Sequence, residues 1–484
     1  MSIIIPANTL AAGGFDVDNS ARFTKASSDY LNRTHGASGS TRKMTISFWI
    51  KKCSSKDHGQ ADGMMILGGQ QDDYPGFHLT FLSSTDTLIF RDARASNQVK
   101  FDVRTDAKFR DLSAWSHIVF ALDTTQGTAS NRIKLYVNGI QITDLNGSTA
   151  SGAGDPAPLY PDQNLDTLFN SNIAHFINKY ASNYEDFYLS EFAFIDGSQL
   201  AADQFGEFDE DSNIWKPIKV SGLTFGTNGF YLDFKDSSAL GNDANGSNNY
   251  TSNNFAAINQ STDTCTNNFA TINRLDNFYA QAAFSEGNLQ IVTSVAAFAP
   301  IRSTIGVSSG KWYAEVKIIT ASATDHEQGV VSQAAVNNSA GVGRIAEGYG
   351  YAGNGQVFRN DSQVTYSANS LAADDILGIY LDLDNNKLYF AKNGTIQNSG
   401  AGISMVDPAS TTDGVYYFAT SDNANLSGGS YRFDWNFGNP IFTGTDKSDA
   451  NGYGSFEYDP SAGTFDSASK DFYALCTKNL AEYG

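Results

Sequence analysis

Apolar and polar positions alternate with a period of two along much of this chain. Leu377, Ile379, Leu381 and Leu383 fall on one side of a run, and Gly378, Tyr380, Asp382 and Asp384 on the other. That spacing predicts an antiparallel strand with one buried face. Asp384-Asn385-Asn386 then supplies residues that tolerate positive φ, as a tight reversal requires. A second strand, KLYFAKNG, follows from Lys387 to Gly394 and ends in Asn-Gly. The same object is written earlier: HIVFALD from His117, a polar turn, and IKLYVNG ending at Gly139. Two such hairpins about 260 residues apart predict two domains of related architecture in tandem.

Other short strands are predicted at Met44–Lys52, Phe77–Ser83, Thr87–Asp92, Val99–Arg104, Ile173–Phe176 and Phe187–Asp196. A helical turn fits Leu200–Phe208. Many short strands between Gly, Asn and Asp turns argue for an all-β sandwich or jelly roll. NGFYLDF, at Asn228–Phe234, ends the first domain, expected at 1–235. Residues 236–267 are almost wholly Asn, Ser, Asp, Gly and Ala and read as a linker. The second domain, expected at 268–440, takes in NLQIVT at Asn288, GKWYAEVKI at Gly310 and FDWNFGNP at Phe433. Residues 441–484 read as a polar C-terminal tail with interspersed aromatics.

Composition narrows the class. At 484 residues the chain exceeds what one core organises. Aromatics make up 13% and charged residues only 17%, below the usual share of about 25%, so this is turn-rich, ordered protein. A net charge of −20 without clustered Lys and Arg argues against a nucleic-acid partner. No stretch approaches the ~18 apolar residues of a membrane span. Cys53, Cys265 and Cys476 are too sparse for a disulfide framework and are expected as reduced thiols. Residues 1–14 (MSIIIPANTLAAGG) lack a basic leader and read as a strand or docking segment.

The strand order carries two resemblances. FWIK, then Trp115-x-His117, then Tyr136-x-Asn138-Gly139, AHFIN and LSEFAFIDG resemble a laminin-G-like, concanavalin-A-like jelly roll over residues 15 to 215. Gly310–Val316, the Gly378–Gly394 hairpin and Asn436-Phe437-Gly438 resemble a SPRY domain, also a concanavalin-A-like sandwich. The fold expected is therefore two tandem concanavalin-A-like jelly-roll β-sandwich domains with a polar linker and a short tail. The ALCTKNL element near the C-terminus, together with the domain pair, resembles virion proteins of tailed bacteriophages. That resemblance implies a virion protein made in the host cytoplasm. Its expected partners are other virion proteins and a host surface glycan or receptor, and homo-oligomerisation is left open.

No sequence constellation demands catalysis. Glu207, Asp209 and Asp211 would share a face on a strand, as glucanase carboxylates do, but the run lacks the far Glu and reads as a solvated acidic loop. His35, His58, His78, His117, His175 and His326 show no metal spacing, and His117 and His175 read as core or cross-strand residues. The glycine-rich run Gly348–Gly355 reads as a hairpin turn rather than a phosphate loop. No cofactor is expected. Calcium held by loop carboxylates of Asp16, Asp18 and Asp29 or Asp123 is an alternative that the jelly-roll resemblance raises. A glycan site needs an aromatic platform beside amides; Tyr180 and Tyr184, and Tyr351 with Asn354, are its candidates. The function expected is non-enzymatic adhesion from a tail fibre or tail-associated component. The alternatives are capsid decoration or a head fibre, and then a polysaccharide-active enzyme.

Overall fold

The computed structural model describes residues 14–55, 63–71, 74–82, 84–94, 98–147, 157–277, 279, 282–293, 298–320, 326–422, 430–466 and 470–484. All but the last residue of the expected docking segment, and His58, lie outside these. The fold is nearly all β, in antiparallel sheets that form two tandem sandwiches. The described chain divides into two compact units, one ending at Thr266 and the other beginning at Asn267.

In the first unit, one sheet runs in the spatial order Ile140–Ile142, Ile133–Val137, Ser116–Asp123, Lys43–Lys52, Phe187–Asp196, Ser20–Phe23 and Gln260–Ser261. The facing sheet runs Leu145–Asn146, Val99–Lys108, Thr87–Ala93, Tyr74–Phe81, Met64–Gln71, Ala174–Ile177, Tyr30–Thr34 and Thr251–Asn253. Alternate residues of both sheets interdigitate in the core: Ile46, Phe48 and Ile50 from one, and Leu79, Phe90 and Val103 from the other. The outer face of the first sheet is also buried. Trp49, Val119, Tyr188 and Ala193 point outward there, under Phe205, Trp215, Phe225 and Cys265 from later chain.

The second unit repeats this plan. Its main sheet runs Ala282–Ser285, Gln290–Thr293, Tyr431–Asn436, Lys311–Thr320, Ile376–Asp382, Lys387–Lys392 and Thr395–Ile396. The facing sheet holds Ile301–Arg302, Tyr417–Asp422, His326–Val331, Gly348–Ala352, Val357–Arg359 and Ser362–Val364. Leu377, Ile379 and Leu381 enter the core, as their spacing predicts. The opposite face is not solvated, however: Gly378, Tyr380 and Asp382 are buried too. Phe456, Phe465 and Phe472 of the C-terminal stretch pack against Tyr313, Tyr380 and Tyr389. Residues 441–484 therefore form a cap on the sheet. Glu315 fastens it, accepting from the Glu457 and Tyr458 amides at 3.0 and 2.9 Å and from Asn436 and Tyr313. Tyr473–Ala474 adds a short strand, and the only α-helix among the described residues, Thr477–Tyr483, closes the unit.

Residues 236–266 likewise belong to the first unit. Thr251–Asn253 pairs with Tyr30–Thr34, and Gln260–Ser261 pairs with Ser20–Phe23. Asp243 accepts hydrogen bonds from the backbone amides of Tyr231, Asn245 and Asn248. Asp263 is buried, held by Lys51 Nζ at 2.8 Å and Trp115 Nε1 at 2.9 Å. The Asn, Asp and Ser content that reads as a linker supplies the side chains that bond the backbone of packed, irregular structure.

Candidate functional site

Both units bury the outer face of one sheet under their own later chain, so binding surface has to be sought elsewhere. Burial removes Tyr351 from it, and Asn354 is engaged in its own turn. Tyr351 lies in the second core, its hydroxyl bonded to the Asn369 carbonyl. Asn354 turns its Oδ1 back onto the Gln356 amide at 2.9 Å, stabilising its own turn. The acidic run behaves as its composition suggests. Glu207 lies on the short strand Gly206–Phe208, but Asp209 sits in a turn, accepting from the Asp211 and Ser212 amides. Those bonds and Lys216 hold Asp209 down at about 2. Lys216 lies 3.4 Å from Glu207 and 3.1 Å from Asp209 and offsets part of the run's charge.

The calcium candidates do not converge. Asp29 is buried and accepts from Thr24 and Asn259. Asp123 accepts from Thr125 and Gln126 and pairs with Lys43. Asp16 and Asp18 are exposed. Among the described residues no three His, Cys, Asp or Glu side chains gather in a way that would hold an ion. Three of the described histidines are buried against other rings. His117 stacks on Trp49, lies 2.9 Å from Ser47 Oγ, and accepts from Trp215 Nε1 at 3.0 Å. Burial pushes it down to about 3. His35 and His175 stack with centroids 4.0 Å apart, lowered by burial to about 4 and about 3. Cys53, Cys265 and Cys476 are buried and joined by no disulfide.

Tyr180 and Tyr184 are brought into a group. They flank a tight reversal in which Tyr180 and Asn183 exchange backbone hydrogen bonds. Asn178, at φ 61°, anchors its base: its amide nitrogen donates to the Asp29 and Glu185 carbonyls, and its Oδ1 accepts from the Glu185 amide. Ala181 holds φ at 53°, a region costly for a residue with a Cβ. The reversal projects beside the outer face of the second sheet of the first unit. There Tyr184 lies 6.0 Å from Tyr30, and Tyr30 lies 6.5 Å from Phe176. Lys179 Nζ sits 4.2 Å over the Tyr30 ring and 5.4 Å from that of Phe176. Beside them Asn253 donates to Asn32 Oδ1 at 2.7 Å. Tyr30, Asn32, Phe176, Lys179 and Tyr184 are half-buried and Tyr180 is exposed, the exposure of groups that line a groove. Further along the same face Ile89 and Asp102 are buried, so its open part is confined to this end. Tyr30 and Phe176 were legible only as strand residues; their partnership depends on pairing across the sheet.

Residues 25–176 match the family described as the concanavalin A-like lectin/glucanases superfamily, of laminin-G type, and residues 311–412 match the SPRY domain. The chain is 35% identical over 95 residues to an ATP-dependent RNA helicase, DDX1, of Xenopus laevis. That match covers 19% of this chain and 12% of the helicase, so the chain spans a small part of that relative. Among solved structures it is similar to the SPRY domain of human HERC1, at 14% identity over 30% of this chain and 87% of that one, with a TM-score of 0.25. It is also similar to the heptameric SAP-like pentraxin of Limulus polyphemus, at 14% identity over 40% and 82%, with a TM-score of 0.26.

Proposed function

From a chain built of a laminin-G-like, concanavalin-A-like sandwich followed by a SPRY domain, we infer a non-enzymatic adhesion protein of a tailed-bacteriophage virion, borne on the tail or a tail fibre. Both are binding-type folds. The observation that carries the adhesive part is the half-buried aromatic and amide group of Tyr30, Phe176, Tyr184, Asn32 and Asn253 at one end of the second sheet's outer face. Flat aromatic rings beside amides suit the apolar faces and hydroxyls of a sugar. The virion assignment rests on the domain pair and the ALCTKNL tail element. The sheet-capping role of that tail gives it a structural duty in the chain, whatever the particle.

The test is adsorption. Purified protein is expected to bind host cells and to compete with phage for them, and antibody is expected to decorate the tail. Label confined to capsid faces would favour the second reading, a head decoration built from the same two domains. Failure to bind cells together with unlabelled tails would remove the first. Depolymerase activity on host polysaccharide that disappeared in Glu207→Gln would overturn the non-enzymatic assignment.

A further inference from the structure

We propose that Lys52 and Asp86 join in an intramolecular isopeptide bond, a covalent tie between the two sheets of the first unit. Lys52 ends the strand Lys43–Lys52 in one sheet, and Asp86 lies in the turn before Thr87–Ala93 in the facing sheet. Ile46, Phe48 and Ile50 enter the core, so Lys52 continues their inward row. Its ammonium stands 4.9 Å over the Phe81 ring and 3.5 Å from Asp86 Oδ1. Both side chains are buried, 4% and 1% exposed. Hydrogen bonds fix both ends. Lys52 Nζ donates to the Phe109 carbonyl at 2.8 Å. The Asp86 amide donates to the Leu82 carbonyl, and the Asp86 carbonyl accepts from the Phe109 amide, each at 2.9 Å. A charge-assisted pair that is free to close does so at about 2.8 Å. Here the nitrogen is held at 3.5 Å, near the separation of about 3 to 3.5 Å from which reacting groups start.

Two further groups complete the chemistry. Glu185 is 2% exposed and lies two residues before Phe187, which is opposite Lys52 in register. Its charge acts on the ammonium. Arg110 Nε stands 3.7 Å from Asp86 Oδ2. Burial pushes Lys52 down to about 8, so about a tenth of it is the free amine at pH 7. A desolvated lysine amine is a competent nucleophile. In the step itself, Nζ attacks Asp86 Cγ, and negative charge gathers on oxygen beside Arg110. Two protons leave the nitrogen. Glu185 takes each in turn and passes it to the departing Asp86 oxygen. The Nζ–Cγ bond forms, the Cγ–O bond breaks, and water leaves. Ammonium and carboxylate become amide and water, with no change of oxidation state and no co-reactant. The amide keeps one N–H, which can still donate to the Phe109 carbonyl. The tie closes a loop between residues 34 positions apart and restrains the unfolded chain as a disulfide would, without needing an oxidising compartment.

The experiment is intact-mass spectrometry of the full chain under denaturing conditions. The expected mass is about 18 Da, one water, below that of the sequence. Tandem spectra of a digest are expected to place the bond between Lys52 and Asp86. Lys52→Arg keeps the charge and is expected to restore the full mass and lower the thermal midpoint by about 5 °C or more. Asp86→Asn can still react, losing ammonia, and is expected about 17 Da below its own sequence mass. Glu185→Gln is expected to fold and to keep its full mass; circular dichroism checks the fold of every variant. An unaltered chain at its full sequence mass would overturn the proposal. So would an 18 Da loss that persists in folded Lys52→Arg, or a bond mapped to Lys51 and Asp263 or to Lys311 and Asp382. A bond formed as fast in folded Glu185→Gln would overturn the proton transfer assigned to Glu185.

Discussion

At the scale of single residues, the repeated Asn-Gly turn shows how little chemistry is needed to place a domain's parts. Asn138 and Asn393 have φ of 46° and 48°, and Gly139 and Gly394 have φ of 79° and 74°. Each Asn accepts, through Oδ1 at 2.8 Å, the amide at the head of the opposing strand, His117 in one unit and Ile376 in the other. A Cβ on Gly139 would run into the Trp215 indole, and one on Gly394 into the Tyr458 ring. Both glycines thus seat an aromatic residue from chain that covers the sheet. Gly139→Ala or Gly394→Ala is expected to cost about 2 kcal/mol or more, from the left-handed backbone and the displaced ring together. Denaturant unfolding of each variant measures it, and a change below about 0.5 kcal/mol would deny the ring its seat.

Histidine titration belongs to the same scale. His117 is held neutral well below its ordinary value by burial, with Nδ1 occupied as acceptor for Trp215. Between its folded value of about 3 and the unfolded value near 6.5, only the unfolded chain takes up the proton, so stability falls as pH drops below 6.5. The contribution is about 1.4 kcal/mol for each pH unit in that window. His117→Asn is expected to flatten the acid limb of the stability curve by that amount between pH 6 and 4. An unchanged slope would mean the imidazole is not kept neutral. Glu191 and Glu315 work the other way. Burial raises both to about 7, so their contribution is complete below about 4.5 and is lost as pH rises through 7.

At the scale of elements, the segments that cover the sheets matter most. The outward rings Tyr313, Tyr380 and Tyr389 have burial only because Phe456, Phe465 and Phe472 return to them. Glu315→Ala would leave four donors, including the Glu457 and Tyr458 amides, without their acceptor, at a cost of about 3 kcal/mol or more. Limited proteolysis is expected to cut this variant within 441–484 well before the unaltered protein. Equal resistance would show that the aromatic contacts alone hold the cap. The helical turn expected at 200–208 is reduced to Ala202–Gln204, because Gly206–Phe208 pairs with Trp215–Pro217 instead.

At the scale of the whole molecule, the division falls at Thr266 and Asn267. A fragment ending at Thr266 is expected to unfold cooperatively. One ending at Lys235 would lose Asp263 from Lys51 and Trp115, and the pairing of 251–253 and 260–261. The shorter fragment is expected to be less stable by about 3 kcal/mol or more, since a buried lysine loses its counter-ion. Equal thermal midpoints would return 236–266 to the status of a linker.

The sequence by itself determined the sandwiches. Strand alternation such as Leu377, Ile379 and Leu381 is a local consequence of the pleat, and an Asn-Gly pair states its turn without help from the rest of the chain. It also indicated that Glu207 and Asp211 meet solvent, whereas the turn that draws Asp209 inward was not legible in it. Only the tertiary structure decided which faces are covered. Tyr380 and Tyr351 look alike in a strand pattern, and so do Tyr30 and Phe176. Whether such a ring meets solvent, core or a returning segment depends on partners far off in sequence, as Tyr380 depends on Phe465 and Phe472 and Tyr30 on Phe176, which no local period encodes. For the same reason Tyr180 and Tyr184 could be suspected singly, but their joining with Tyr30, Phe176 and Lys179 required the sheet register that sets the strands side by side.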